Sequence, residues 1–184
     1  MIDPQSNRTT GFHLFFEPEG DLKSELSGII STLAKEYGTP VFVPHVTLLA
    51  RIPAETESGP VPVETIVEKS QALAKSLTPF TLTLGHTGME SLYFKALYLH
   101  IKEQTEMRVL HAQALEHFFM DDEAPYLPHL SLLYGNHPNE QKQSTIETLT
   151  LPSQHSFVVR SVHLYKTEGE VHDWQFIKEF SFGE

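Results

Sequence analysis

Two six-residue stretches, Pro44-His45-Val46-Thr47-Leu48-Leu49 and Pro128-His129-Leu130-Ser131-Leu132-Leu133, both read proline, histidine, apolar, hydroxyl, apolar, apolar. In an extended chain, side chains two apart share a face, so each stretch would present one imidazole beside one hydroxyl. An imidazole titrates near neutrality and can take or give a proton at physiological pH. Two such pairs facing one another would supply a base, an acid and two small hydrogen-bond donors. That set suits proton transfer around a phosphate, with His45 and His129 as the acid–base pair and Thr47 and Ser131 holding the oxygens. No metal and no cofactor is required.

The pattern is short, so chance has to be weighed. Eleven histidines and thirty serines and threonines among 184 residues give about two random His-x-hydroxyl matches. Requiring the proline and three apolar positions lowers the expectation to roughly 0.01 per chain. The competing reading is two core strands that merely carry histidine. The other histidines show no repeated ligand spacing and read as surface or core residues rather than a metal site. Lys95 reads as solvent-facing rather than as a cleft cation, Trp174 as a core anchor, and Asp121, Asp122 and Glu123 as a solvated loop.

Elements from separate parts of the chain must bring the two stretches together. Residues 12–17 read as a strand ending at Pro18-Glu19-Gly20. Leu22, Leu26, Ile29, Ile30, Leu33 and Tyr37 then fall at helical spacing, with Asp21 as N-cap and Gly38 as the stop. The first His strand covers 45–51, and 52–62 is a Pro-rich loop. A second helix carries Ile66, Ser70, Leu73 and Leu77. Strands follow at 80–84 and 92–101 with a turn at 85–90 between them. Met107, Leu110, Ala114 and Phe118 mark a third helix, and an acidic loop at 120–125 leads to the second His strand at 128–134. A weak helix starts near Pro138, and the chain closes with a strand at 157–165, a turn at Thr167-Glu168-Gly169 and an alternating strand from Trp174 to Phe182.

The offset that carries His45 onto His129 also carries Thr47 onto Ser131, Leu26 onto Leu110 and Leu48-Leu49 onto Leu132-Leu133. Strand, helix and His strand therefore recur in both halves without a gap. This predicts an α+β fold of two duplicated strand–helix–strand lobes, with two antiparallel sheets around a central open cleft. The whole chain, 1–184, is expected to be one bilobal domain with a loose start at 1–10.

Composition narrows the function. The length allows a real core. The formal charge of −11 argues against a long nucleic-acid partner, because no basic cluster could neutralise many phosphates. A small phosphate ester in a local positive pocket is compatible with it. The absence of cysteine excludes disulfides, thiol catalysis and cysteine-ligated zinc, and fits a cytoplasmic protein. No stretch resembles a membrane span or a signal peptide, and a monomer is expected.

The paired His-x-hydroxyl strands and the duplicated arrangement resemble the 2H phosphoesterase superfamily, whose LigT-like fold has this bilobal form. The second motif, running on to Tyr134, looks like the cyclic nucleotide phosphodiesterase (CPDase) branch, and the resemblance spans most of the chain. It implies metal-independent opening of a small cyclic phosphate. The candidates are ADP-ribose 1″,2″-cyclic phosphate, giving the 1″-phosphate, and nucleoside 2′,3′-cyclic phosphates, giving 2′-phosphates. The resemblance assigns His45 and His129 as catalytic and Thr47 and Ser131 as phosphate-binding. It places Tyr134 near the phosphate and Phe15 where many relatives carry a base-stacking tryptophan. Alternatives are an enzyme that acts on 2′,3′-cyclic phosphate or 2′-5′ linkages at RNA ends, a non-catalytic nucleotide-binding module, and a divalent-metal hydrolase.

Overall fold

A computed structural model describes residues 3, 5–121 and 125–184. The strands and helices run in the order β1 (Phe12–Phe16), α1 (Gly20–Tyr37), β2 (Val46–Ile52), the two-residue strands β3 (Glu55–Thr56) and β4 (Gly59–Pro60), α2 (Val63–Ser76) and β5 (Phe80–Met89). A 3₁₀ turn (Tyr93–Lys95) follows, then β6 (Leu97–Ile101), α3 (Gln104–Phe118), β7 (His129–Leu133), α4 (Asn139–Thr148), β8 (Ser156–Val159), β9 (Ser161–Lys166), a second 3₁₀ turn (Val171–Asp173) and β10 (Gln175–Ser181). Among the described residues no helix is long and apolar enough to cross a membrane.

The two expected antiparallel sheets are the halves of one curled sheet, ordered β10-β9-β1-β2-β7-β6-β5-β8. One pair, Val46 with Leu130, joins β2 to β7, and these residues are equivalent under the internal repeat. The duplication is thus visible in the fold: β1, α1 and β2 in one half answer to β6, α3 and β7 in the other. At the far ends of the sheet, the expected strand at 157–165 breaks at Arg160. The part before the break pairs with β5 and the part after it with β1 and β10.

The helices bind the halves together. In α1, Leu22, Leu26, Ile30 and Leu33 of the predicted stripe are buried together with Ala34, while Ile29 and Tyr37 are partly buried beside them. Each fully buried Leu or Ile contributes about 1.5–3 kcal/mol. This stripe packs against β7 of the other half, while α3 packs against β2. Each repeat therefore covers the other's His strand, and a single apolar core runs through both. The helix starts two residues earlier than expected, with Glu19 rather than Asp21 at the N-cap and no side-chain cap bond. Its stop is Gly38, whose left-handed φ of 66° lets its N–H close onto the Ala34 carbonyl.

Two expectations about strand limits are corrected. The turn at 85–90 is strand, because β5 bulges between its Leu84 and Thr87 pairings and continues to Met89. The strand expected from 92 begins only at Leu97, since residues 93–95 wind into the 3₁₀ turn. Of the start at 1–10, Thr9 pairs with Gly169, and Asn136 donates to the Gln5 carbonyl. Residues 1, 2 and 4 lie outside the described residues, as do Asp122 and Glu123 of the acidic loop.

Candidate active site

The Val46–Leu130 pair decides how the two motifs meet. Antiparallel pairing there brings Thr47 beside His129 and His45 beside Ser131. Val46 and Leu130 are wholly buried, so their neighbours along each strand turn the opposite way. In an ideal ladder directly opposed Cβ atoms lie about 4.5–5.5 Å apart and diagonal pairs roughly 7–8 Å. His45 and His129 lie diagonally across that pair, near enough for the charge of one to be felt at the other. All four side chains line one cleft of about 720 Å³.

Each imidazole is held in the same way. His45 Nδ1 lies 2.6 Å from the Val43 carbonyl oxygen, and His129 Nδ1 lies 2.7 Å from that of Leu127. A carbonyl can only accept, so Nδ1 carries the proton and donates, which leaves Nε2 of the neutral ring as the free base. The proline between donor and acceptor explains why the motif contains one. It holds the residue before it extended and supplies no N–H of its own. Burial lowers both histidines from 6.5 to about 4, against the opposing effect of these carbonyl bonds. The weaker influences differ between them. The carboxylate of Glu17 raises His45, whereas Lys95, His45 and His100 lower His129 further.

The strand carrying Thr47 is braced from outside the sheet. Tyr126 donates its hydroxyl to the Thr47 carbonyl at 2.6 Å, and His111 Nδ1 lies 2.7 Å from the Leu48 carbonyl. The two rings stack at 4.0 Å. Beyond the single joining pair the half-sheets diverge, and these side chains satisfy β2 backbone acceptors there. On the other side the Ser131 hydroxyl donates to the Phe94 carbonyl at 2.9 Å, so an incoming phosphate oxygen must compete for that proton.

The two aromatic residues singled out by resemblance lie in the cleft wall, well covered. Phe15 is 1% exposed and stacks on His45 at 3.8 Å between ring centres. That position backs the imidazole and leaves little ring face for a base. Tyr134 is 2% exposed and stacks on Phe42 at 3.6 Å, with burial raising its phenol pKa. Trp174 lies near both and near Phe94, and is half-buried in the same wall. Its indole N–H is buried with no hydrogen-bond partner among the described residues.

Several cleft residues were not read from the sequence. Lys95, expected to face solvent, lines the cleft, and its side chain is only 17% exposed. The expected strand is replaced at this point by the 3₁₀ turn over residues 93–95. The Lys95 ammonium pairs with Glu90 at 3.0 Å. His13 also lines the cleft. It bonds to the buried hydroxyl of Thr167, and burial, then His45 and Arg51, lowers it to about 3. Strand parity held a signal for it, since His13 and Phe15 are two apart on β1. Arg51 and Arg8 complete the cations of the cleft. Among the described residues no group of three or more histidines and acids is placed to hold a metal.

Known proteins resemble this chain in sequence and in fold. Residues 21–170 match the family model described as the 2′-5′ RNA ligase superfamily. A cyclic phosphodiesterase of Arabidopsis thaliana is 26% identical over 157 residues, covering 83% of each chain. A putative phosphoesterase of Bacillus anthracis is 30% identical over 93 residues, about half of each chain. Among solved structures, a phosphoesterase has a TM-score of 0.64 at 16% identity, over 96% of this chain and 99% of that one. Escherichia coli LigT complexed with 3′-AMP has a TM-score of 0.58 at 17% identity, with the same coverage. At such identities the likeness is one of fold.

Proposed function

The chain belongs to the 2′-5′ RNA ligase superfamily, the 2H phosphoesterases, and on that footing we propose that it is a metal-independent cyclic phosphodiesterase acting on a small nucleotide. The observation that carries this is the matched pair of imidazoles, each with Nδ1 tied to the carbonyl two residues upstream. That arrangement leaves two Nε2 atoms for one phosphate. The substrates we favour are nucleoside 2′,3′-cyclic phosphates, opened to 2′-phosphates, and ADP-ribose 1″,2″-cyclic phosphate, opened to the 1″-phosphate. The cyclic phosphodiesterase relative supports the reaction class. The solved LigT complexes with 3′-AMP, NADP⁺ and ATP support a cleft of nucleotide size.

The asymmetry around the two rings suggests their roles. Glu17 favours a proton on His45, and Lys95 disfavours one on His129. In this reading His129 Nε2 takes a proton from water as its oxygen bonds to phosphorus. His45, protonated on both nitrogens, gives its Nε2 proton to the departing ribose oxygen as the P–O bond breaks. Thr47 and Ser131 hold the non-bridging oxygens while charge builds there. Each proton transfer contributes about 10²–10⁴-fold.

The test is hydrolysis of adenosine 2′,3′-cyclic phosphate in excess EDTA, with the product isomer identified by chromatography. Adenosine 2′-phosphate formed at an undiminished rate is the expected outcome. Loss of turnover with chelator would instead favour a metal hydrolase. Turnover only of cyclic-phosphate-ended oligomers would favour the RNA-end reading, which the net charge of −11 makes the second choice.

A further inference from the structure

The first 3₁₀ turn is fixed to the second His strand. The Gly135 N–H donates to the Tyr93 carbonyl at 2.8 Å, and the Ser131 hydroxyl donates to that of Phe94 at 2.9 Å. Lys95 is the next residue, so its backbone follows directly on the one that Ser131 touches. In β6, Tyr98 pairs with Ser131. The centre of the Tyr98 ring lies 5.8 Å from Lys95 Nζ and 5.3 Å from the ring of His129. The ammonium and the second motif thus share an aromatic neighbour.

The ammonium is also held in place. One oxygen of Glu90 meets it at 3.0 Å, and the other accepts from the Tyr98 hydroxyl at 3.3 Å. The Glu90 backbone is tied too, because its carbonyl accepts from Nζ of Lys142 at 2.6 Å, a lysine only 1% exposed. Gly88 lets the Tyr98 ring lie against β5, since a Cβ there would overlap it.

Of the ion pair, Lys95 lines the cleft and Glu90 does not. Asp121 lines the cleft as well, but the charges felt at His129 are those of Lys95, His45 and His100. The charge of Glu90 is felt at His100. A lysine ammonium has three N–H donors. Glu90 takes one, which leaves others for an oxygen in the cleft. The cation is one-sided. Phe15 pairs with Thr47 as Tyr98 pairs with Ser131, so Lys95 answers to Phe12, a core residue.

We propose that Lys95 is a further catalytic residue, whose ammonium donates to the non-bridging phosphate oxygen on the Ser131 side and offsets the charge that builds there. Glu90 and Tyr98 are its positioning residues. The inference rests on the catalytic reading above, and binding separates the two.

The experiment compares the wild type with Lys95→Met and Lys95→Arg at pH 7, above the titration of both histidines. Turnover is kcat/KM on adenosine 2′,3′-cyclic phosphate, and binding is read by calorimetry with adenosine 2′-phosphate. If Lys95 only tuned His129, Lys95→Met would make that base stronger, and turnover would hold or rise. A phosphate contact predicts the opposite sign: a loss of about 10²–10³-fold, as for one preorganised donor. Binding should weaken at least about tenfold, and Lys95→Arg should recover part of both. In the wild type, the two diastereomers of adenosine 2′,3′-cyclic phosphorothioate should be opened at different rates, because sulfur facing the ammonium is the poorer acceptor. Equal rates for the two isomers, unchanged binding in Lys95→Met, or turnover there at or above the wild type overturns the proposal. If the wild type opens no cyclic phosphate, the catalytic reading fails, while the loss of binding in Lys95→Met still decides the phosphate contact.

Discussion

Replacing either His45 or His129 with alanine should lower kcat on a cyclic nucleotide by about 10²–10⁴-fold, as loss of one positioned acid or base does. The two losses should not add, because the proton removed from water and the proton given to the leaving oxygen belong to one displacement. A diester with a p-nitrophenolate leaving group separates the roles. That group departs without a proton, so His45→Ala should recover most of its activity on it while His129→Ala stays inactive. The reverse pattern would exchange the two assignments, and full activity of both variants on the cyclic substrate would remove the histidines from the chemistry. Asparagine at position 45 is a useful companion, because its amide can still donate to the Val43 carbonyl that Nδ1 now occupies.

The second large effect is on pH. Burial holds His45 and His129 near 4 in the free protein, and under the proposed mechanism only the form with one of them protonated reacts. Below that value the base fills with a proton, and above it the acid loses one. The profile of kcat/KM, which reports the free enzyme, should therefore peak near pH 4 and fall about tenfold per unit on the alkaline side. The kcat profile should lie at higher pH, since a bound phosphate anion favours the imidazolium. Removing the cation at position 95 tests the cause. In Lys95→Met the His129 titration should move upward, because Lys95 disfavours its charged form. A kcat/KM profile centred near 6.5 in the wild type would mean that burial does not set these groups.

That His45, Thr47, His129 and Ser131 would line one cleft was legible because strand parity is rigid. His45 with Thr47, and His129 with Ser131, follow from a period of two. The repeat then implied that the two strands would meet, as Val46 and Leu130 do. What escaped was whatever depended on departures from that regularity. Lys95 faces the cleft where 93–95 wind into a 3₁₀ turn, and Arg51 lines it at a bulge that packs against Gly11, just before β1. Phe15 sits on the face that parity assigns, but the sequence does not reveal that the His45 ring lies over it. The crossing of α1 to β7 and of α3 to β2 was equally hidden. The amphipathic stripe says that a helix packs, and not on which half.

The most direct measurement is a crystal structure of the protein soaked with adenosine 2′-phosphate. One phosphate group should lie within hydrogen-bond distance of Nε2 on both His45 and His129. The Thr47 and Ser131 hydroxyls should reach its other oxygens, with Ser131 turned away from the Phe94 carbonyl. A phosphate bound to one ring alone, or the two Nε2 atoms directed at different pockets, would contradict the account.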